Sequence, residues 1–553
     1  MNRYSFNTIV GLVGFGLCLV FNAAAEPRSS KNSFGIIPMP LSIEAKKEHR
    51  FEITGDTSIV YLDEKSEVSA EYLQSRIAAA VGLKLAVQKS EGMNAIILKV
   101  APEIIEFPED DAYYFESSGD KITITGKSES GLFYGVQTLF QLLPPRIYSD
   151  TPVQGMELTV DALTIKDKPS MGKIRGLHVD ISRHFRTKEE LLLIIDSMAM
   201  HKLNTLHLHL TDVQGWRVEI KAYPKLTTVG AIGNKSDPQA PAQFLTQEEV
   251  KEISAYANSR HISIIPEIDM PGHMGAAIRA YPELKHPQDQ RDPAKVIRGD
   301  ALARDFAKKV LIEINDLFDP EFIHIGFDEV NHGAKEKLYT DAQLLDLARE
   351  MTTFIKDDLK KTPIVWDDAF MHGFHDKDTV VHWWRYGKNY WWRNLPTMVD
   401  EELNQRRQPF IMSPAYWTYF DMPNVKPEEG YPGWAKPIST AEVYNWDPYG
   451  DMLGVTADTP KLALGAIACT WSEQIITMKD FGDRTFPRLA SYSERIWRGG
   501  KSEAPSILSW DDYRDRVLIP YQLKRYEALG VWYWSKDNPE LLKNLGDARK
   551  TLR

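Results

Sequence analysis

Two hydrophobic rhythms divide the chain. From about residue 35 to 165, short alternating runs sit between turn residues: "NAIILKV", "AYYFESS" and "DKITITG" read as strands. "IIPMPLSIE" opens this stretch with prolines and strand-like alternation. "EVSAEYLQSRIAAAVGL" reads as a helix. "SGLFYGVQTLFQLL" reads as a second, with Phe133, Val136, Leu139 and Leu142 at helical spacing. The pattern predicts a small sheet packed on helices. "KDKPSM" at 166–171 reads as a linker.

Beyond it the rhythm changes to apolar runs separated by helical patterns. Eight runs stand out: 174–181, 205–212, 262–269, 322–329, 363–368, 379–384, 409–414 and 464–471. Thr187-x-x-Glu190 and Thr246-x-x-Glu249 are capping boxes that start helices. Leu191, Ile195 and Met198 then share one face. Eight strands with intervening helices predict an α/β fold, a (β/α)8 TIM barrel preceded by a small α+β domain. The expected division is a leader at 1–25, the α+β domain at 26–168, and the barrel with a helical end at 169–553. Long loops rich in Pro, Trp and Tyr fall at 385–460, where such barrels carry function.

The N-terminus adds a destination. Arg3, an apolar stretch from Ile9 to Phe21 and a small-residue site at Ala23-Ala24-Ala25 form a signal-peptide pattern. A short N-terminal anchor is the alternative. After cleavage only Cys469 remains, so no internal disulfide is expected. A periplasmic or secreted protein with no membrane association after cleavage follows. The formal charge of −11 argues against a nucleic-acid partner. Oligomeric state is not legible.

Barrel chemistry sits where strands end. Reading those ends gives Asp180; then Asp212, Gln214 and Trp216; then Glu267, Asp269 and His273; then Asp328 and Glu329. The fifth to eighth runs give Trp366, Asp367 and Asp368; Trp383 and Trp384; Tyr416, Trp417, Tyr419 and Asp421; and Trp471 and Glu473. A rim of carboxylates and indoles suits a neutral, polyhydroxylated ligand. Carboxylates accept from hydroxyls, and aromatic faces pack on a pyranose. There is no phosphate loop and no cysteine cluster, so no cofactor is expected. His207-x-His209 is the one metal-like element; packing inside the barrel is its alternative reading, and no metal is expected. Asp328-Glu329 could also be an acid cluster at a helix start. Of Trp383 and Trp384, neighbours on a strand, only one can face the pocket.

The adjacent acids pose a problem. Glycosidase carboxylates ordinarily flank the bond, roughly 5–9.5 Å apart. Sequence neighbours do not easily straddle a sugar. The motifs "RGLHVDISRHF", "HLHLTDVQGWR", "PEIDMPGH", "HIGFDEV", "YFDMP", "VYNWDP" and "WSEQ" resemble those of the family 20 glycoside hydrolases, the β-N-acetylhexosaminidases. Residues 35 to about 165 resemble that family's small domain. The resemblance implies that the nucleophile is the substrate's own acetamido oxygen, an exception to the two-carboxylate rule.

It also implies roles. Glu329 resembles the general acid and base, and Asp328 the acceptor of the acetamido N–H. Tyr419 resembles the partner of the acetamido oxygen. Asp212 and His273 resemble a relay behind Glu329. Trp366, Trp384 and Trp471 resemble the wall around the acetamido methyl and the sugar face, Arg175 the ligand of O3 and O4, Glu473 a further ligand of O4, and Asp421 that of O6. The implied partner is a glycan with a terminal β-linked N-acetylhexosamine, GlcNAc or GalNAc, cut in exo fashion with retention. Arg385 and Lys388 raise a 6-sulfated sugar as an alternative. A carbohydrate-binding barrel without activity and a metal-dependent hydrolase on His207-x-His209 are the rival classes. One departure is Phe327, where the family has glycine. Either this position is ordinary in φ/ψ, with Phe327 filling space toward the barrel wall, or the Asp328 loop is altered.

Overall fold

The computed structural model describes residues 34–543 except 91, 93, 386–388, 391–392, 395–398, 426–435, 452–453, 501–507 and 538–539. The leader read from the sequence and Lys388 therefore lie outside the described residues. Among the described residues no helix is long and apolar enough to cross a membrane.

The first unit is built on a mixed sheet of seven strands, beside a two-stranded antiparallel pair of Phe51–Ile53 and Leu158–Val160. The spatial order of the seven is Ser42–Ala45, Leu163–Asp167, Tyr113–Ser117, Lys121–Gly126, Ala95–Val100, Ser58–Tyr61 and Ala86–Gln88. The two expected helices are Glu67–Val81 and Glu129–Leu142. The second starts at Ser128, whose hydroxyl accepts the Gly131 N–H at 3.3 Å. It is buried almost throughout because it faces the barrel too: Gln141 Nε2 donates to the Met200 carbonyl at 2.9 Å.

The stretch 166–171 is not a spacer. Lys166 and Asp167 end a sheet strand, and Asp167 is fully buried. Its carboxylate accepts from the Tyr113 hydroxyl at 2.7 Å, from Lys202 Nζ at 3.0 Å and from Trp497 Nε1 at 3.0 Å. The Lys-Asp-Lys-Pro composition suggests solvent. Its acid instead pins the two units together.

The second unit is a closed parallel barrel. Its strands are β1 (Ile174–Asp180), β2 (Thr205–His209), β3 (Ser263–Met270), β4 (Phe322–Gly326), β5 (Thr362–Trp366), β6 (Val380–Trp383), β7 (Phe410–Met412) and β8 (Ala463–Thr470). All eight runs become barrel strands, and β1 pairs β8 to close the ring. Both capping boxes form: Thr187 Oγ1 accepts the Glu190 N–H while Glu190 returns to the Thr187 N–H, and Thr246 and Glu249 do the same.

Strand alternation stacks the interior in layers. The lowest is apolar: Ile174, Ile265, Phe322, Ile364, Val380, Ile411 and Ile467 form one buried cluster. Two residues further along the same strands the layer turns polar, with Glu267, His324, His382, Ser413 and Cys469, all buried. His207 and His209 are also fully enclosed, and His207 stacks on His324 with ring centres 4.8 Å apart. The last residues of the strands and the loops after them form the mouth.

β4 ends in an unusual turn. Gly326, Phe327 and Glu329 take φ of 68°, 71° and 50°. Gly326 has no alternative, since a Cβ there would come within 1.7 Å of Asp269 Oδ1. Phe327 is therefore not ordinary in φ/ψ. A left-handed non-glycine residue costs roughly 1–2 kcal/mol. Phe327 is 2% exposed and lines a small cavity with Leu344, Ala348, Ala369 and Phe374. Truncating a buried phenylalanine costs roughly 3–5 kcal/mol, so packing outweighs the strain and locks the acid-bearing loop to the barrel wall.

Candidate active site

The mouth is built around Asp212, which follows β2. Its Oδ2 receives three cationic or polar donors: Arg183 Nη2 at 2.6 Å, His209 Nε2 at 3.1 Å and His273 Nδ1 at 3.1 Å. Burial opposes the Asp212 charge, but Arg183 and His273 outweigh it and hold the carboxyl well below its usual range. The other edge of His273 faces the acid pair, with Nε2 3.5 Å from Asp328 Oδ2 and 3.8 Å from Glu329 Oε2. Burial alone would lower His273. Asp212 and Asp328 outweigh it, and the imidazole is pushed up to about 9.

The two adjacent acids stand in different surroundings. The Glu329 side chain is 44% exposed, while that of Asp328 is 15% exposed. Asp328 Oδ1 is buried and accepts no hydrogen bond from the described residues. Burial, reinforced by Asp368 and Glu329 against the pull of His273, raises Asp328 to about 6. Asp269 lies under the pair and is fully buried; burial and Asp328 push it well above its usual value. Its carboxyl oxygen, an Asp328 oxygen and a His273 nitrogen fall within 4.8 Å of one another.

Aromatic rings close the cavity. Trp366 forms its floor, 1% exposed, with Nε1 donating to Glu267 Oε1 at 2.9 Å. Trp471 lies 5.8 Å from Trp366, and Tyr419 6.3 Å from Trp471, centre to centre. Trp384 stacks on Tyr419 at 6.3 Å and donates from Nε1 to Asp368 at 3.0 Å. Alternation decides between the two neighbouring tryptophans: Trp384 faces the mouth, and Trp383 is buried on the outer face of the barrel. Asp421 is half-buried near Glu473; the loss of solvent around its carboxyl, with Glu473, raises it to about 8 against the Arg488 and Arg484 charges.

Arg175 is not at this mouth. It is the second residue of β1, at the far end of the barrel, and alternation turns it outward. There it is 1% exposed, with Nη2 2.7 Å from Asp111 and 3.2 Å from the Tyr134 hydroxyl. The arginine at the mouth is Arg183, three residues past the end of β1. Its Nη2 lies 2.6 Å from Asp212 and 3.7 Å from Glu473 Oε1, and its guanidinium covers Trp471 at 5.1 Å. The signal was in "DISRH": the second arginine follows the strand, whereas the first begins it. Arg183→Met is expected to raise KM or lower kcat/KM by about 100-fold or more, since a charge-assisted bond to a sugar hydroxyl is lost. Arg175→Met is expected to lower thermal stability and leave the kcat/KM of folded enzyme within about threefold. Steady-state kinetics beside a melting curve separates the two.

Arg385 is likewise committed. It pairs with Asp367 and, at 3.3 Å, with Asp368. Burial raises Asp367 to about 7 in spite of that pairing. Asp269, Asp368 and the Glu267–His209 pair, none of them assigned roles from the sequence, therefore belong to the site as well.

Acid and base groups at the strand ends of a (β/α)8 barrel, walled by indoles, define a carbohydrate-cleaving hydrolase. The chain belongs to glycosyl hydrolase family 20. The family's catalytic domain matches residues 173–500, and its domain 2 matches residues 33–168. A β-hexosaminidase of Porphyromonas gingivalis is 32% identical over 489 residues, covering 84% of this chain, which in turn spans 60% of that relative's length. A β-N-acetylhexosaminidase of Cellulomonas fimi is 29% identical over 496 residues, covering 87% of this chain and 92% of that one. In space, a mutant Streptomyces plicatus β-hexosaminidase in complex with its product GlcNAc aligns with a TM-score of 0.78 and 28% identity, over 93% of this chain and 98% of that one. As a member, the protein is a glycoside hydrolase of the β-N-acetylhexosaminidase class.

Proposed function

We propose that the protein is an exo-acting, retaining β-N-acetylhexosaminidase that releases terminal GlcNAc or GalNAc by substrate-assisted catalysis. The observation that carries this reading is the pairing of an exposed Glu329 with a partly buried Asp328 whose enclosed Oδ1 takes no donor from the described residues. An acetamido N–H is a donor of the right kind for that oxygen. In the first step Glu329 gives its proton to the leaving oxygen. The acetamido oxygen attacks the anomeric carbon, the glycosidic bond breaks, and a bicyclic oxazolinium ion forms. Asp328 takes the N–H and offsets its developing charge, and the Tyr419 hydroxyl donates to the acetamido oxygen. Water then opens the ring from the first face, with Glu329 now accepting its proton. Two inversions give retention.

The magnitudes suit this assignment. Proton transfer contributes roughly 10²- to 10⁴-fold. Fixing the acetamido oxygen against the anomeric carbon draws on effective molarities of roughly 10⁵–10⁸ M. Arg183 and Glu473 take the sugar hydroxyls, and Trp366, Trp384 and Trp471 enclose the acetamido methyl. Asp421 reads O6, and a carboxyl raised to about 8 supplies no positive charge to receive a 6-sulfate. Arg385, held by two aspartates, offers no ready counter-charge, which favours the unsulfated sugar. The leader places the protein in the periplasm or outside the cell, with a mature chain starting at Glu26; sequencing the mature N-terminus checks this.

The test is the stereochemistry of a chromogenic N-acetylglucosaminide. Proton NMR during early turnover is expected to show the β-anomer of GlcNAc first. An α-anomer formed first would rule the mechanism out.

A further inference from the structure

Below the Asp212–His273 pair lies a second pair, deeper in the barrel. The His209 ring is 1% exposed. Its Nε2 is 3.1 Å from Asp212 Oδ2 and its Nδ1 is 2.7 Å from Glu267 Oε2. Each ring nitrogen thus faces a carboxylate. A neutral imidazole has one N–H and one lone pair. One of the two carboxylates would then meet a lone pair in a buried site, where such a contact is costly. An imidazolium presents an N–H to both.

The charges around the ring agree. Three buried carboxylates gather here: Asp180, Asp212 and Glu267. Arg183 and His273 answer them but also face Glu473 and Asp328, and a charged His209 adds a further cation against this excess of acids. Arg183 Nη1 lies 3.2 Å from His209 Nε2, but it also lies 3.2 Å from Asp180 Oδ2, which gives its N–H an acceptor. The remaining neighbours are His178, 5.8 Å away between ring centres, the Trp471 ring at 5.1 Å, and His207, whose Nε2 is 3.0 Å from Glu267. His324, whose Nδ1 lies 3.2 Å from Glu267 Oε1 and 3.1 Å from the Gly326 nitrogen, is neutral, since burial brings it down to about 3. His382 is also held neutral by burial, and it hands its Nε2–H to Ser413 at 2.6 Å. For His209 burial works against the charge, but Glu267 and Asp212 prevail and bring it up to about 10.

We propose that His209 is a buried imidazolium clamped between Glu267 and Asp212, and that it positions the catalytic acids. It acts through a chain: Glu267 anchors His209, His209 fixes Asp212 from below, Asp212 holds His273, and His273 presents Nε2 to Asp328 and Glu329. Asp212 Oδ2 takes donors from Arg183, His209 and His273. Without the donor from below, Arg183 and the Val213 N–H alone orient the carboxylate, and the oxygen shifts away from the position that fixes His273. His209 touches no substrate, so it is a positioning residue. Its catalytic consequence rests on the functional reading above, whereas its charge state does not.

Two measurements test it on the full chain. Neutron diffraction from crystals exchanged into D₂O near neutral pH is expected to show deuterons on both Nδ1 and Nε2 of His209. A bare nitrogen on either side overturns the proposal, whatever the enzyme's substrate proves to be. The second uses two near-isosteric variants. In His209→Gln the side-chain amide nitrogen stands where Nε2 stood and serves Asp212; in His209→Asn it stands where Nδ1 stood and serves Glu267 alone. His209→Asn is expected to lose about 10- to 100-fold in kcat, the range for a buried charged hydrogen bond deprived of one partner. Inhibition by GlcNAc is expected to stay within about threefold of wild type, since the sugar contacts are untouched. His209→Gln is expected to recover most of the kcat loss. Equal losses in both variants, or a loss confined to KM, overturn the positioning role. Should neither variant fold, the neutron result decides alone.

Discussion

Glu329→Gln is expected to lower kcat on a natural N-acetylhexosaminide by about 10³- to 10⁴-fold, at the upper end of what a positioned proton donor supplies. The replacement keeps the shape and removes the transferable proton. Because the Glu329 side chain is 44% exposed, with only His273 at 3.8 Å and His332 at 3.7 Å recorded against its carboxylate, folding is expected to be unaffected. The size of the loss carries mechanistic content. A leaving group as good as dinitrophenolate needs little protonation, so the first step is expected to be largely rescued with such a substrate. Opening of the bicyclic intermediate still needs a base, so turnover as a whole stays slow. A variant with wild-type rates on 4-nitrophenyl N-acetylglucosaminide would remove Glu329 from the mechanism.

Asp328→Asn is expected to cost about 10²- to 10³-fold in kcat, comparable to removing one charge-stabilising hydrogen-bond partner from a transition state. The asparagine oxygen still accepts the N–H, but the negative charge opposite the developing oxazolinium is gone. The pH profile gives a second, independent readout. Asp328 must be ionised to play this part, and its surroundings raise it to about 6. Activity in kcat/KM is therefore expected to fall as pH drops through about 6. His273 must keep its proton to face the acid pair, and it releases that proton near 9. The working window thus lies between about 6 and about 9. In Asp328→Asn the acidic limb near 6 is expected to vanish. Its survival would mean that another group titrates there.

The sequence reading succeeded where local pattern and strand geometry coincide. Buried parallel strands are apolar runs that end in polar or aromatic residues, and each of the eight runs became a barrel strand. Helix starts were readable because Thr187 and Thr246 meet their glutamates within one turn. Trp384 was separable from Trp383 by period-two alternation alone. The same rule places Arg175 on the outer face and at the wrong end; matching the whole motif without its strand direction led to the wrong arginine. Asp167 was misread because its partners, Tyr113, Lys202 and Trp497, come from three distant stretches. Phe327 shows the complementary limit. Its left-handed backbone is set by packing against the helix at 341–357 and by the fit of Gly326 to Asp269, neither of which leaves a local trace. The polar layer was hidden for a related reason. His178, His324 and His382 each stand among apolar neighbours and look like core, and only the closed barrel brings them around Glu267.

The chemistry described here depends on the sugar contributing its own attacking oxygen, and substrates that differ only at C2 test this most directly. Relative kcat/KM should be measured for the 4-nitrophenyl β-glycosides of N-acetylglucosamine and of glucose. A preference of about 10⁴-fold or more for the acetamido sugar is expected, set by the loss of an intramolecular nucleophile. Comparable rates on the two, or a glycosyl ester trapped on a carboxylate of the protein, would contradict it.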